Sequence, residues 1–158
     1  MTGNNGRMIR VFLLDDHEVV RGGVSAALDA QSDMTVVGEA GNAADALEAV
    51  RECRPDVAVL DVRLGDGSGI DVCREIRSEF ENVQCLILTS FESDRALVDA
   101  GLAGAAGFVL KQIRSNDLIE AIRQVHEGRQ LLDDAAVRIA MRRLRNSEEG
   151  RLDELTPQ

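Results

Sequence analysis

The sequence has no tryptophan, no tyrosine and only four phenylalanines. Platforms for stacking bases are therefore scarce, which argues against a reader of single-stranded nucleic acid. An excess of positive charge is missing as well: 18 Lys and Arg stand against 28 Asp and Glu, a formal net charge of −10. Phosphate contacts need a basic surface, so the chain itself is not expected to hold DNA. No apolar run approaches the ~20 residues that span a bilayer. The N-terminal MTGNNGR has one arginine and no long apolar stretch. It lacks a secretory pattern, and a cytoplasmic location is expected. The three cysteines, Cys53, Cys73 and Cys85, are far apart and form no CxxC pair. That argues against a disulfide framework or a zinc site and leaves buried free thiols.

What is present is a repeating pattern. Short runs rich in Val, Ile and Leu occur at Met8–Leu14, Met34–Gly38, Val57–Leu60, Cys85–Leu88 and Phe108–Leu110. Their starts lie roughly 25 residues apart, which suits one strand, one helix and two loops. Between them the spacing turns helical. Ala43, Ala46, Leu47 and Val50 share a face behind Asn42, a ready cap. Ser93 precedes Ala96, Leu97 and Ala100, and Ser115 precedes Leu118, Ile122 and Val125. Pro55 closes the second helix before the third strand. Alternating strands and helices imply parallel strands with right-handed crossovers. Near-continuous apolar strands imply a sheet covered on both faces. The expected fold is an α/β, doubly wound sandwich around a five-stranded parallel sheet.

After Asp133 the pattern changes. Val137, Ala140, Met141 and Leu144 make a helical stripe flanked by Arg138, Arg142, Arg143 and Arg145. NSEEGR then reads as a break or linker. The stripe needs a partner surface: the domain itself, a second copy or another domain. The basic residues are interspersed with acids and read as a solvated helix face.

The chemistry gathers at strand ends. Asp15 and Asp16 follow the first strand, Asp61 follows the third, Thr89 closes the fourth and Lys111 the fifth. In a parallel doubly wound sheet all strand C-termini open onto one edge, where ligands bind. If the strand order is 2-1-3-4-5, the first and third strands are neighbours and the three acids meet. Close like charges raise one another's pKa, and a divalent cation resolves the conflict. Oxygen-only ligands suit Mg²⁺, which accepts a phosphate oxygen alongside. A hydroxyl and an ammonium at the same edge can hydrogen-bond a phosphoryl group. Singly, each residue is as easily a loop start, a turn, a cap or a surface charge. Together and in order they form a constellation. His17 and His126 show no partners at ligand spacing and read as surface or cap residues.

VFLLDDHEVVRGGV, PDVAVLDVRLGDGSGID, LILTS and GAAGFVLK resemble the receiver domain of two-component response regulators over roughly residues 8–132. The resemblance is closest to the NarL-type subfamily, with its LuxR-like helix-turn-helix after the receiver. It implies a flavodoxin-like receiver of strand order 2-1-3-4-5. It also implies Asp61 as phospho-acceptor, with Asp16 a direct Mg²⁺ ligand, Asp15 a helper through water and the Arg63 backbone carbonyl a further ligand. Thr89 and Lys111 become the phosphate-binding switch pair and Phe108 the aromatic switch position. A sensor histidine kinase is the implied phosphodonor, homodimerisation the implied response, and DNA the target of a domain beyond this chain. On that reading residues 1–7 are a flexible N-terminus and 133–158 a linker helix. The terminal LTPQ resembles the opening of the DNA-binding domain.

Two positions depart from the pattern. Gly65 replaces the proline common four residues after the acceptor, so a looser loop is expected. Gln112 replaces the residue often found after the lysine, so a less firmly placed Lys111 is expected. Arg63 and Phe91 near the acceptor are expected to hinder water and slow hydrolysis. Three rivals remain. A haloacid-dehalogenase-like phosphatase needs a second carboxylate two residues after Asp61, where Arg63 stands. A dinucleotide site would use GDGSG at 65–69 or GLAGAAG at 101–107, but neither has the right glycine spacing and placement, and turn or close-packing glycines explain both. A pseudo-receiver would dimerise without phosphorylation, although its acids are all present.

Overall fold

The structure, a computed structural model, describes residues 7–90, 93–111, 115–132 and 134–155, with the main chain alone for Ser115 and residues 148–155. Residues 1–6, Phe91, Gln112, the Ser115 cap and Thr156–Gln158 of the LTPQ end therefore lie outside the described residues or side chains.

The expected strands form. β1 (Ile9–Leu14), β2 (Met34–Ala40), β3 (Val57–Asp61), β4 (Gln84–Thr89) and β5 (Gly107–Leu110) pair in parallel in the order β2-β1-β3-β4-β5. Side chains alternate between the two faces because a strand has a period of two. Phe12, Leu14, Ala58, Leu60, Cys85 and Ile87 face one core. Val11, Leu13, Val57, Val59, Leu86 and Leu88 face the other. All five residues of β3 are buried, as the central position requires.

The helices are α1 (Glu18–Asp29), α2 (Ala43–Cys53), α3 (Gly69–Glu79), α4 (Asp94–Leu102), α5 (Ser115–His126) and α6 (Asp134–Leu155). α2, α3 and α4 supply Ala46, Val50, Ile76 and Ala100 to the first core. α1 and α5 supply Leu28, Ile119, Ile122 and Val125 to the second. Truncating a fully buried aliphatic such as Ile122 to alanine costs about 2–5 kcal/mol. Asn42 Oδ1 accepts the Asp45 N–H at 2.9 Å and Ser93 Oγ accepts that of Ala96 at 3.1 Å, so both expected caps are in place. α2 stops at Cys53, and Arg54, just before Pro55, turns left-handed at φ 47°.

The linker departs from expectation. NSEEGR does not break the chain: α6 runs unbroken from Asp134 to Leu155. A single interior glycine, Gly150, costs only about 1 kcal/mol, and no proline or cap accompanies it. The partner surface of the stripe is the domain itself. Val137 packs against the first core, Ala140 is buried, and Arg143 reaches Asp94 at 3.5 Å on α4. The glycines of GLAGAAG allow close packing, Gly101 against α6 and Gly107 against β4. A Cβ on Gly101 would stand 2.6 Å from Val137 Cγ2, and one on Gly107 2.5 Å from Leu86 Cδ2. Gly104 has φ +91°, a conformation that favours glycine.

Candidate functional site

Among the described residues three polar side chains are buried, and all three stand at the C-terminal edge of the sheet: Asp15, Asp61 and Thr89. β1 pairs with β3, and Leu14 sits level with Leu60, so the residues that follow, Asp15 and Asp61, come side by side. Asp16 is more exposed. Lys111 leaves the end of β5 and lays its ammonium between the two buried acids. Nζ stands 2.9 Å from Asp61 Oδ2 and 3.1 Å from Asp15 Oδ2. Its own N–H donates to the Thr89 carbonyl at 2.6 Å. Lys111 is thus fixed by main chain and side chain alike, against the expectation drawn from Gln112.

Electrostatics at the site follow from this packing. Burial pushes the Asp61 carboxyl above the ordinary range; the Lys111 hydrogen bond and charge pull it back, and Asp15 pushes it up again. Burial also works against the Lys111 ammonium, but its hydrogen bonds to Asp61 and Asp15 and their charges outweigh it, and its pKa is raised. The two shifts point opposite ways for the ion pair. One ammonium shared between two acids is held firmly charged, yet it does not fully offset the burial of Asp61.

The loop after Asp61 is better fixed than Gly65 suggested. Arg63–Leu64 and Gly67–Ser68 form a small antiparallel hairpin. At its tip Asp66 accepts the N–H groups of Ala43 and Ala44, at 2.8 and 3.0 Å, across the N-terminus of α2. Those two hydrogen bonds lower the Asp66 pKa. Behind the site Arg21 donates to the Asp15 carbonyl at 2.5 Å and pairs with Glu39 at 3.2 Å, which ties the first loop to β2. Sequence reasoning missed Asp66 and Arg21. An acid in a glycine-rich loop and an arginine on an amphipathic helix carry no local signal of such reach.

Phe108 lies on the Thr89 face of the sheet, opposite Ile87, and packs half-buried against the first core. Arg63 is exposed. One expectation fails. His17 does have partners: its Nδ1 stands 3.1 Å from Asp16 Oδ1 and 3.4 Å from Asp15 Oδ1. It occupies the N-cap of α1, but its side chain makes no cap hydrogen bond. Sequence spacing hid this, because adjacent residues share a site only when the chain turns sharply. Here the His17 N–H donates to Asp15 Oδ1 at 2.9 Å and makes that turn.

The sequence profile of the response regulator receiver domain matches residues 11–123. The chain belongs to the response regulator receiver family. It is 51% identical over 142 residues to the DNA-binding transcriptional activator DevR/DosR of Mycobacterium tuberculosis, covering 90% of this chain and 65% of that protein. The chain thus spans slightly less than two thirds of that relative. Among solved structures, a LuxR-family two-component response regulator from Aurantimonas sp. SI85-9A1 superposes with a TM-score of 0.76 at 32% identity, covering 87% of this chain and 99% of that one. The receiver domain of the response regulator NarL from Mycobacterium tuberculosis gives 0.74 at 34% identity, covering 78% and 99%. The chain is the receiver part of a two-component response regulator, and its sheet order is that of the family. Among the described residues, no helix of this receiver is long and apolar enough to cross a membrane.

A divalent cation fits the donor set. One ligand atom from each of Asp15, Asp16, His17 and Asp61 lies within 4.8 Å of the others. Charged oxygens at an open edge are the groups that hold Mg²⁺.

Proposed function

We propose that this receiver accepts a phosphoryl group on Asp61 from a histidine kinase, with Mg²⁺, and so switches the output of a transcription regulator. The observation that carries the reading is the convergence of Asp15, Asp16 and Asp61 with the Lys111 ammonium at one sheet edge.

Asp16 and Asp61 would hold the ion directly, Asp15 through water, with the Arg63 carbonyl as a further ligand. The bound ion supplies charge neutralisation as the phosphoryl group approaches the acids. An Asp61 carboxylate oxygen forms the new P–O bond as the P–N bond of phosphohistidine breaks and its electron pair returns to the imidazole. The product is an acyl phosphate, stoichiometric with the chain rather than a step in steady turnover. Lys111 turns from the carboxylates to a phosphoryl oxygen, and the Thr89 hydroxyl approaches another. Movement of Thr89 frees volume on the face where Phe108 packs. That biases α4, β5 and α5 between two arrangements.

The likeness to a DNA-binding transcriptional activator supports DNA contact through a domain outside this chain, and homodimerisation is the response proposed on activation. Residues 8–132 then form the receiver proper and α6 leads toward that domain, all in the cytoplasm. The test is labelling with acetyl phosphate and Mg²⁺. Wild type takes up about one phosphate per chain and Asp61→Asn none. Equal uptake by Asp61→Asn sinks the assignment, and no uptake by either favours the pseudo-receiver.

A further inference from the structure

Among the described residues the acidic cluster has, besides the Lys111 ammonium, a nitrogen neighbour that can offer a lone pair. His17 Nδ1 faces the Asp16 and Asp15 carboxylates at 3.1 and 3.4 Å. A nitrogen lone pair and two carboxylate oxygens repel at such distances. An electropositive centre must lie between them, either a proton on Nδ1 or a metal ion. The ring has no competing task as a helix cap. It is 68% exposed, so small rotations are open to it.

We propose that His17 is a nitrogen ligand of the divalent cation, and that this receiver prefers a borderline transition ion such as Mn²⁺ over Mg²⁺. The inference rests on the metal reading above and goes beyond it. Metal–ligand bonds of about 2.0–2.2 Å place neighbouring donors of an octahedron roughly 3 Å apart and opposite donors roughly 4.2 Å apart. The Asp16–His17 separation of 3.1 Å matches neighbouring donors. The whole set, within 4.8 Å, needs only a small contraction. Mg²⁺ takes oxygen ligands and gains little from an imidazole, whereas Mn²⁺, Fe²⁺, Co²⁺ and Zn²⁺ accept it readily. A carboxylate site with one added imidazole therefore shifts its preference toward the transition series.

The test uses the intact chain with Mn²⁺ and Mg²⁺ alone. Free Mn²⁺ is titrated by electron paramagnetic resonance, and Mg²⁺ is measured by competition. Pulsed resonance of the bound Mn²⁺ reads directly coordinated nitrogen. Wild type is expected to show a nitrogen coupling and to bind Mn²⁺ at least about tenfold more tightly than Mg²⁺. His17→Ala and His17→Gln lose the coupling and most of that preference, while Mg²⁺ affinity holds. His17 is exposed, so both variants should keep the wild-type melting temperature in chelator. Mn²⁺ bound with no nitrogen coupling, or equally well by both variants, overturns the role of His17 and leaves the carboxylate site standing. Failure of wild type to bind either ion, or binding indifferent to Asp61→Asn, overturns the metal reading itself.

Discussion

Gly69 lies against the main chain of Asp61: a Cβ at position 69 would be driven into the Asp61 carbonyl oxygen. Gly69 is also the first residue of α3, and its N–H donates to the Val62 carbonyl at 3.0 Å. Asp61 and the helix behind it can be this close only with hydrogen at 69. Gly69→Ala should cost about 1–3 kcal/mol or more through overpacking. At roughly 2–4 °C per kcal/mol the loss is easily seen in a thermal melt. Phosphate labelling should fall as well, because Asp61 must shift. A melt equal to wild type would refute the contact.

Asp61 itself should be a burden to the metal-free fold. Its pKa is raised chiefly by burial. The ionised form is then less favoured in the fold than in the unfolded chain. That cost is present above the folded pKa and vanishes below the unfolded value of about 3.9. Asp61→Asn should therefore melt a few degrees higher than wild type at pH 7 in chelator. Millimolar divalent cation should narrow the gap by stabilising wild type alone. Thermal melts of both proteins with and without the ion check this.

A second carboxylate behaves in the opposite sense. Arg123 on α5 grips Asp33 with two hydrogen bonds, 2.8 and 3.1 Å, and these lower the Asp33 pKa against the opposing effect of burial. A depressed acid contributes stability that is full above its unfolded pKa, about 3.9, and is lost as pH falls through the folded value. The melting temperature of Asp33→Asn should lie below wild type at pH 6 and converge on it below pH of about 4. The pair is part-exposed, so the difference is small and shrinks in high salt. A gap that widens in acid would contradict the assignment.

The seat of α6 is testable by size exchange. Gly101→Ala places a methyl 2.6 Å from Val137 Cγ2, and valine is stiff. The single variant should lose about 1–3 kcal/mol. Adding Val137→Ala should restore part of it, a positive coupling that only touching residues show. Independent effects in the double-mutant cycle would mean that the helices do not meet there.

Much of this was legible beforehand. The strands follow from apolar runs of the right length, and their order from the family resemblance. The acids, Thr89 and Lys111 were legible because a parallel sheet sends every strand end to one edge. What escaped depends on contacts between distant segments or on a local turn. Asp66 caps a helix 22 and 23 residues earlier in the chain. His17 joins the acids through a tight turn made by the Asp15 side chain. NSEEGR reads as a break or linker, yet α6 is continuous through it, because helix formers on either side outweigh its one glycine.

The hydrogen bond from the Lys111 N–H to the Thr89 carbonyl ties the last rungs of β4 and β5 together. A tug on either side chain is thereby transmitted to the adjoining strand through the backbone. On the proposed reading the hydroxyl and the ammonium would answer an incoming anion as yoked partners, and weakening one should blunt the response of the other.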